Sequence, residues 1–175
     1  MKTNTSLSTV NCHWKKLLKL VSAILLGAAL LAPHPVAAAA ARVVATINGG
    51  GTANMEDGAG TSVFGVGVKL LSDGSATGHF DCVDQHGDRP GYPGNIFGEV
   101  TSWSIDPDGF VSLSIIGKLV NIPGGLVLTD LPFTVRIQRF GGAGVGHWTL
   151  EIEVAPGVIV VFCHEILTSG QIVIH

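Results

Sequence analysis

Apolar and polar residues alternate along most of this chain with a period of two. From Val43 onward only glycine-bearing turns interrupt the alternation, and no stretch keeps a helical apolar period over three turns. Strands are predicted at 43–48, 61–71, 76–85, 97–105, 110–119, 131–140, 147–154, 158–167 and 171–174. The chain is therefore predicted to be all-β, as an antiparallel barrel or a two-sheet sandwich of about eight or nine short strands.

The alternation also assigns the side chains that face the core. Three inward rows are predicted: Phe64, Val66, Val68 and Leu70; Phe133, Val135 and Ile137; and Trp148, Leu150, Ile152 and Val154. The carboxylates of Glu151, Glu153 and Glu165 are predicted to be exposed. Turn-forming residues at 72–75 and 106–109 predict two hairpins. The glycine triplet at 49–51 is predicted to be a turn or edge loop, because no helix follows it to make a phosphate site.

The first forty residues have a different pattern, which is that of an export signal. Lys15, Lys16 and Lys19 precede an apolar stretch at 20–32, and a segment rich in proline and alanine follows at 33–40. We predict a signal peptide at 1–40, cleaved between 38 and 41, and a single β-domain at 41–175. The alternative is an uncleaved anchor, although the apolar stretch is short for a membrane span. The domain is expected to be secreted or periplasmic.

The charge of the predicted domain changes the range of expected partners. Four of the ten basic residues precede position 20, whereas all thirteen acidic residues lie at Glu56 or later. The predicted domain at 41–175 therefore carries six positive and thirteen negative charges, a net charge of −7. Such a field repels nucleic acid phosphates and anionic lipid headgroups. We therefore expect an extracellular ligand or protein as partner, with no nucleic acid and no membrane span after cleavage.

Two cysteines remain once the signal is removed. Cys82 and Cys163 form an even pair in an exported domain, which favours a disulfide between them. Metal binding is the competing interpretation, because His79 and Asp81 lie close to one cysteine and His164 follows the other. Thiolate and imidazole are ligands that copper and zinc use in proteins. A pair of free buried thiols is the third alternative.

A further cluster of polar residues ends the third predicted strand. Asp81, Asp84 and Asp88 offer carboxylate oxygens to calcium, but their spacing is not that of an EF-hand and a solvated loop is the favoured explanation. The full set of candidate metal ligands is His79, Asp81, Asp84, His86, Asp88 and His164. We predict no required cofactor, with calcium, zinc and copper as the alternatives. Tyr92, between two prolines in the following loop, is the candidate ligand contact.

No residue pattern marks a catalytic centre. Composition alone leaves a Ser-His-Asp unit open, but the chain has no G-x-S-x-G motif, and Ser102, Ser112 and Ser114 lie in ordinary strand alternation. Strand parity gives no reason to align Glu151 or Glu153 with Glu165 as a glycosidase pair. We therefore assign no catalytic residue and favour a protein that is not an enzyme.

Several segments of the chain carry a resemblance to a known family. They are 60–69, 78–80 with Asp84, 133–135, 148–150 and 169–175. The chain resembles small secreted bacterial β-domains of the post-COAP type, which have a glycine-triplet start and a G-x-I-x-I-H end. It differs from them in having Asp84-Gln85-His86 where the family has an Asp-His pair. The resemblance implies export and a compact β-fold, and it implies no catalytic residue because the group has no established activity.

These observations lead to three hypotheses. The first is a secreted, non-enzymatic β-domain that acts as a binding or structural module. The second is a metal-binding domain or metalloenzyme that uses histidine, cysteine and aspartate ligands. The third is a barrel that holds a small apolar ligand in its interior.

Overall fold

The structure is a computed structural model that describes residues 40–175, apart from positions 57, 59, 88–92 and 123. Only the backbone of residues 86 and 87 is described. The predicted signal peptide lies outside the described residues, except for its last position. Among the described residues, no helix has the length and apolar character needed to cross a membrane.

The described chain is built from β-strands, so the all-β prediction is confirmed. The strands are β1 (Val43–Met55), β2 (Gly60–Leu71), β3 (Ala76–Gly87), β4 (Gly94–Ile105), β5 (Val111–Asn121), β6 (Val127–Arg139), β7 (Gly141–Gly142), β8 (His147–Ala155), β9 (Val158–Leu167) and β10 (Gln171–Ile174). Each of the nine predicted strands is present. The segment 141–146, which the sequence predicts to be a loop between two strands, contains the additional short strand β7.

The strands form one antiparallel sheet that closes on itself. Neighbours along the chain pair in the order β1, β2, β3, β4, β5, β6, β8 and β9. Strand β1 completes the ring, because it pairs with β2 along one edge and with β9 and β10 along the other. Strand β10 in turn pairs with β7. This ring of pairings corresponds to the barrel rather than to two separate sheets, and full closure leaves the ring itself without free edges.

Aromatic side chains fill the centre of the barrel. The Trp148 ring lies 5.7 Å from that of Phe64 and 5.3 Å from that of Phe80, between centroids, and Phe80 also packs edge-on against Phe133. Such pairs contribute about 0.5 to 1.5 kcal/mol each beyond burial of their area. The three predicted inward rows are buried, with the exception of Val154. Val154 is 60% exposed because it lies where β8 has passed the end of its pairing with β6.

The glycine triplet belongs to strand β1, so the prediction of a turn there is wrong. Gly49 and Gly50 pair with β10 on one side and with β2 on the other. A Cβ atom at Gly49 would lie 2.7 Å from the backbone oxygen of Gln171. Glycine is therefore required here for the close approach of neighbouring backbones, and it lets β9 and β10 share one edge of β1.

The turn between β9 and β10 gives a test of this closure. Gly170 and Gly144 have nearly the same backbone angle, with φ of +73° and +74°. A Cβ at Gly170 would lie 1.9 Å from the Gly50 carbonyl oxygen, whereas a Cβ at Gly144 meets nothing within 4 Å. We expect Gly144→Ala to lower the free energy of unfolding by about 1 to 2 kcal/mol, the cost of the left-handed conformation alone, and Gly170→Ala to lower it distinctly more.

Urea denaturation of both variants measures this difference. Both glycines have nearly the same φ, so the conformational cost is the same in the two variants. Any additional loss in the free energy of unfolding of Gly170→Ala therefore measures the clash with the Gly50 carbonyl oxygen. Equal losses would show that β9 and β10 do not pack against β1 as closely as described.

Candidate functional sites

The barrel wall divides the residues predicted to bind metal. His79 and Asp81 lie on the outer face of β3, whereas Asp84 is buried on the inner face. His79 faces Glu99 of β4, with 3.4 Å between Nδ1 and Oε1. His164 lies on the outer face of β9. The structure therefore does not gather these residues into one site, because residues an odd number of positions apart on a strand point to opposite faces.

Three of the predicted site residues receive no structural test. Asp88 and Tyr92 lie outside the described residues, and for His86 only the backbone is described. The predicted calcium ligation by the aspartates of this loop and the predicted ligand contact of Tyr92 remain predictions.

The predicted disulfide is absent from the structure. Cys82 and Cys163 are free thiols, although they lie inside the same barrel and are only 1% and 2% exposed. Burial raises the pKa of both thiols well above the ordinary value, and the nearby carboxyl groups of Asp84 and Glu165 raise them further. Both side chains are therefore neutral thiols within the core.

These cysteines belong to a polar group inside the barrel, which we call the internal acid cluster: Ser62, Cys82, Asp84, Cys163 and Glu165. Strand alternation builds it, because positions two apart on β3 and on β9 both point inward. The Ser62 hydroxyl donates a hydrogen bond to Oε2 of Glu165, and the Cys82 thiol donates to Oδ1 of Asp84 at 3.5 Å. One potential ligand atom each from Cys82, Asp84 and Glu165 lies within 4.8 Å of the others.

Burial dominates the electrostatics of the internal acid cluster. Glu165 is 0% exposed, and desolvation raises its pKa to about 7, with the hydrogen bond from Ser62 opposing the shift and the charge of Asp84 adding to it. Desolvation likewise raises the pKa of Asp84 to about 6, opposed by the hydrogen bond from Cys82. Oε1 of Glu165 has no hydrogen-bond partner among the described residues. Both acids thus take up protons near neutral pH.

The prediction that Glu165 is exposed is wrong, although the sequence carried a signal for its burial. Glu165 alternates with Cys163 and Leu167, both of which are buried. Its strand neighbours therefore assign it to the inner face. Residue type suggested the opposite, because carboxylates are seldom buried in cores.

A second group of ligand-type side chains lies on the outside of the barrel. We call it the Glu-His-His cluster: Glu56 just after β1, His147 at the start of β8, and His164 on β9. Each offers one ligand atom within 4.8 Å of the other two. Nε2 of His147 lies 3.4 Å from Oε1 of Glu56 and has no hydrogen-bond partner among the described residues. Partial burial lowers the pKa of His147, and the Glu56 carboxylate opposes that shift.

Side chains behind His164 fix its orientation. Nδ1 of His164 lies 3.1 Å from the hydroxyl oxygen of Thr149, a buried residue on the outer side of β8. The side-chain amide of Gln138 on β6 donates a hydrogen bond to the same oxygen. The sequence analysis included His164 among the candidates but missed Glu56 and His147, because only the pairing of β1, β8 and β9 brings these three together.

The third feature is an apolar surface where two hairpins extend past the barrel. The pairing of β6 with β8 runs only to the Phe133–Ile152 pair, whereas the β5–β6 and β8–β9 hairpins continue beyond it. We call this the hairpin surface. Its nine residues, each 40–63% exposed, are Ile122, Leu126, Val127, Leu128, Val154, Val158, Ile159, Val160 and Val161. A groove lined by Ile116, Pro132 and Ile159 crosses from one hairpin to the other.

Comparisons with models of protein families, with curated proteins and with solved structures find no match to this chain.

The internal acid cluster predicts an unusual pH dependence of stability. Because the folded-state pKa of Glu165 is about 7 and its ordinary value is 4.5, the folded protein retains a proton that the unfolded chain releases. The free energy of unfolding therefore falls as the pH rises through this window. Replacing Glu165 with Gln removes this pH-dependent loss of stability. The free energy of unfolding of Glu165→Gln minus that of the wild type should therefore increase by roughly 3 kcal/mol from pH 4.5 to pH 8.

Denaturation of both proteins across this pH range, with a chelator present, measures the difference. Asp84 faces Glu165 and shifts in the same direction, and it remains in both proteins. Glu153→Gln is the control, because Glu153 is an exposed carboxylate on the neighbouring strand β8. A stability difference between Glu165→Gln and wild type that is independent of pH would contradict the buried, protonated state of Glu165.

Proposed function

We propose that this protein is an exported, non-enzymatic structural module that assembles with a second copy of itself through the hairpin surface. The exposure of nine apolar side chains on two neighbouring hairpins carries this proposal. Scattered exposed apolar residues are ordinary on protein surfaces, but a concentration of them at one place is typical of an interaction site.

The extent of the hairpin surface suits an interface between copies. Its nine residues are each 40–63% exposed and lie on both faces of the two hairpins, since consecutive strand residues point to opposite sides, and a standard interface buries roughly 800 Å² on each partner. None of the nine carries a charge, although the predicted mature domain has a net charge of −7. Glu151 and Glu153 also line the groove that crosses the hairpin surface, so two copies bring carboxylates as well as apolar side chains near the contact.

The strand edges at the hairpin surface favour a second copy over an unrelated partner. Beyond the Phe133–Ile152 pair, β6 and β8 separate, and each presents an edge that the described pairing does not use. An edge strand pairs antiparallel with its own copy across a two-fold axis, which is the commonest symmetry of protein dimers.

The barrel interior supports the non-enzymatic part of the proposal. The acids and thiols of the internal acid cluster are enclosed, and aromatic side chains occupy the space beside them. The same filling disfavours the hypothesis of an internal apolar ligand, which would have to displace the rings of Phe64, Phe80 and Trp148. The two surface depressions that the structure describes both lie outside the barrel.

Analytical ultracentrifugation of the mature domain tests the assembly. We expect a concentration-dependent dimer in the wild-type protein. Because added salt screens the repulsion between two acidic copies, the dimer should dissociate less as the ionic strength rises. We expect Ile159→Lys to weaken dimerisation by at least about tenfold, since it places a charge in the apolar contact.

A matched variant serves as the control for this experiment. Ile105 is 57% exposed, close to the 61% of Ile159, but it lies at the end of β4, at the opposite end of the barrel. Ile105→Lys should leave the dimer intact. A protein that stays monomeric throughout the concentration range, or a dimer equally sensitive to both variants, would overturn the proposed assembly.

Export and membership of the post-COAP-type group are part of the same proposal, supported by the N-terminal pattern and by the resemblance. Expression with the native N-terminus, followed by an intact mass of the protein outside the cytoplasmic membrane, tests export. We expect a chain that begins between residues 39 and 41. Recovery of the full-length mass from the membrane fraction would instead support the uncleaved anchor.

A further inference from the structure

We propose that the Glu-His-His cluster is a binding site for a divalent zinc ion. Two imidazoles and one carboxylate are a ligand set that zinc uses in proteins, together with a fourth position open to water or to another donor. The three side chains come from the residue after β1, the start of β8 and the middle of β9. The proposal is independent of the hairpin surface, which involves other residues.

The spacing of His147 and Glu56 matches two ligands of one tetrahedral zinc. Zinc binds nitrogen and oxygen at about 2.0 to 2.2 Å, so two ligand atoms at the tetrahedral angle are about 3.4 Å apart. Nε2 of His147 and Oε1 of Glu56 are separated by 3.4 Å. This nitrogen is buried and has no hydrogen-bond partner among the described residues. Coordination of a metal would satisfy it.

His164 supplies the third ligand. Its ligand atom lies within 4.8 Å of the other two, so an approach of at most about 1.4 Å brings it to the 3.4 Å separation of two zinc ligands, and its exposed ring permits this movement. Thr149 engages Nδ1, which leaves Nε2 as the nitrogen for the metal. Histidine ligands typically hold their second nitrogen in such a hydrogen bond, and the amide of Gln138 in turn orients Thr149.

The internal acid cluster is the competing location for a metal. Cys82, Asp84 and Glu165 also place three donors close together, but all three are buried. Zinc would have to lose its hydration to enter the core, and the thiol would have to lose its proton there. The Glu-His-His cluster has no thiol to deprotonate, and because Glu56 and His164 are exposed a bound zinc can keep water in its open position. Arg139, paired with His147 across β6 and β8, is a positive charge that opposes the metal.

Titration with Zn²⁺ alone, by calorimetry on the untagged domain, tests the site. We expect one equivalent of zinc per chain. His164→Gln and Glu56→Gln should each weaken binding by at least about tenfold, since each removes one of three protein ligands. Both side chains are solvent-accessible, so the variants should fold, which circular dichroism checks.

His79→Gln is the matched control. His79 lies 3.4 Å from Glu99, the same separation as in the proposed site, and both are exposed on the outer wall. Among the described residues this pair has no third ligand beside it, so the control should bind zinc as the wild type does. Equal affinity in His164→Gln and His79→Gln, or no stoichiometric binding, would overturn the proposal.

Substitution with Co²⁺ identifies the ligand atoms. Ligation by imidazole and carboxylate should give weak visible bands without an intense sulfur-to-cobalt charge-transfer band. The spectrum should be unchanged in Cys82→Ser/Cys163→Ser. A charge-transfer band that disappears in this double variant would overturn the proposal and place the metal in the internal acid cluster.

Discussion

The double use of strand β1 is the constraint on which the rest of this structure depends. One edge of β1 pairs with β2, and the other is shared by β9 and β10. Without that sharing the sheet would remain open, with β1 and β9 as free edges. Closure requires backbones to approach more nearly than side chains allow, which is why glycines at 49–51 and at Gly170 stand where the three strands meet. Closure also turns the two faces of the sheet into an interior and an exterior.

That separation explains why neighbouring residues on one strand have opposite chemistry. His164 and Glu165 are consecutive, yet the first lies on the wall in contact with solvent and the second lies in the core. Desolvation raises the pKa of Glu165 to about 7, whereas His164 remains available as a ligand beside Glu56 and His147. The barrel wall thus divides ligand-type residues into an internal group held by burial and an external group suited to binding.

The hairpin surface follows from the limit of closure. Strands β6 and β8 pair with each other only as far as Phe133 and Ile152. Beyond this pair the β5–β6 and β8–β9 hairpins are no longer hydrogen-bonded to one another. Residues such as Val154 continue the inward alternation but have no interior to enter. The apolar residues along these strands therefore extend past the end of the core, and those beyond it are exposed at one end of the barrel. An interface is the usual purpose of apolar surface that folding leaves uncovered.

Local alternation and turn residues are enough to predict the strands, their inward rows and the all-β class from the sequence. Alternation also separates His79 from Cys82, places His164 opposite Cys163, and puts Glu165 on the inner face with Cys163 and Leu167. The tertiary structure was needed to establish that the sheet closes, that the glycine triplet lies within a strand, and that no disulfide lies beside Glu165. It alone brought Glu56, His147 and His164 together. The physical reason is that alternation fixes the face on which a side chain lies, whereas the partners it meets depend on register and closure between strands far apart in the chain.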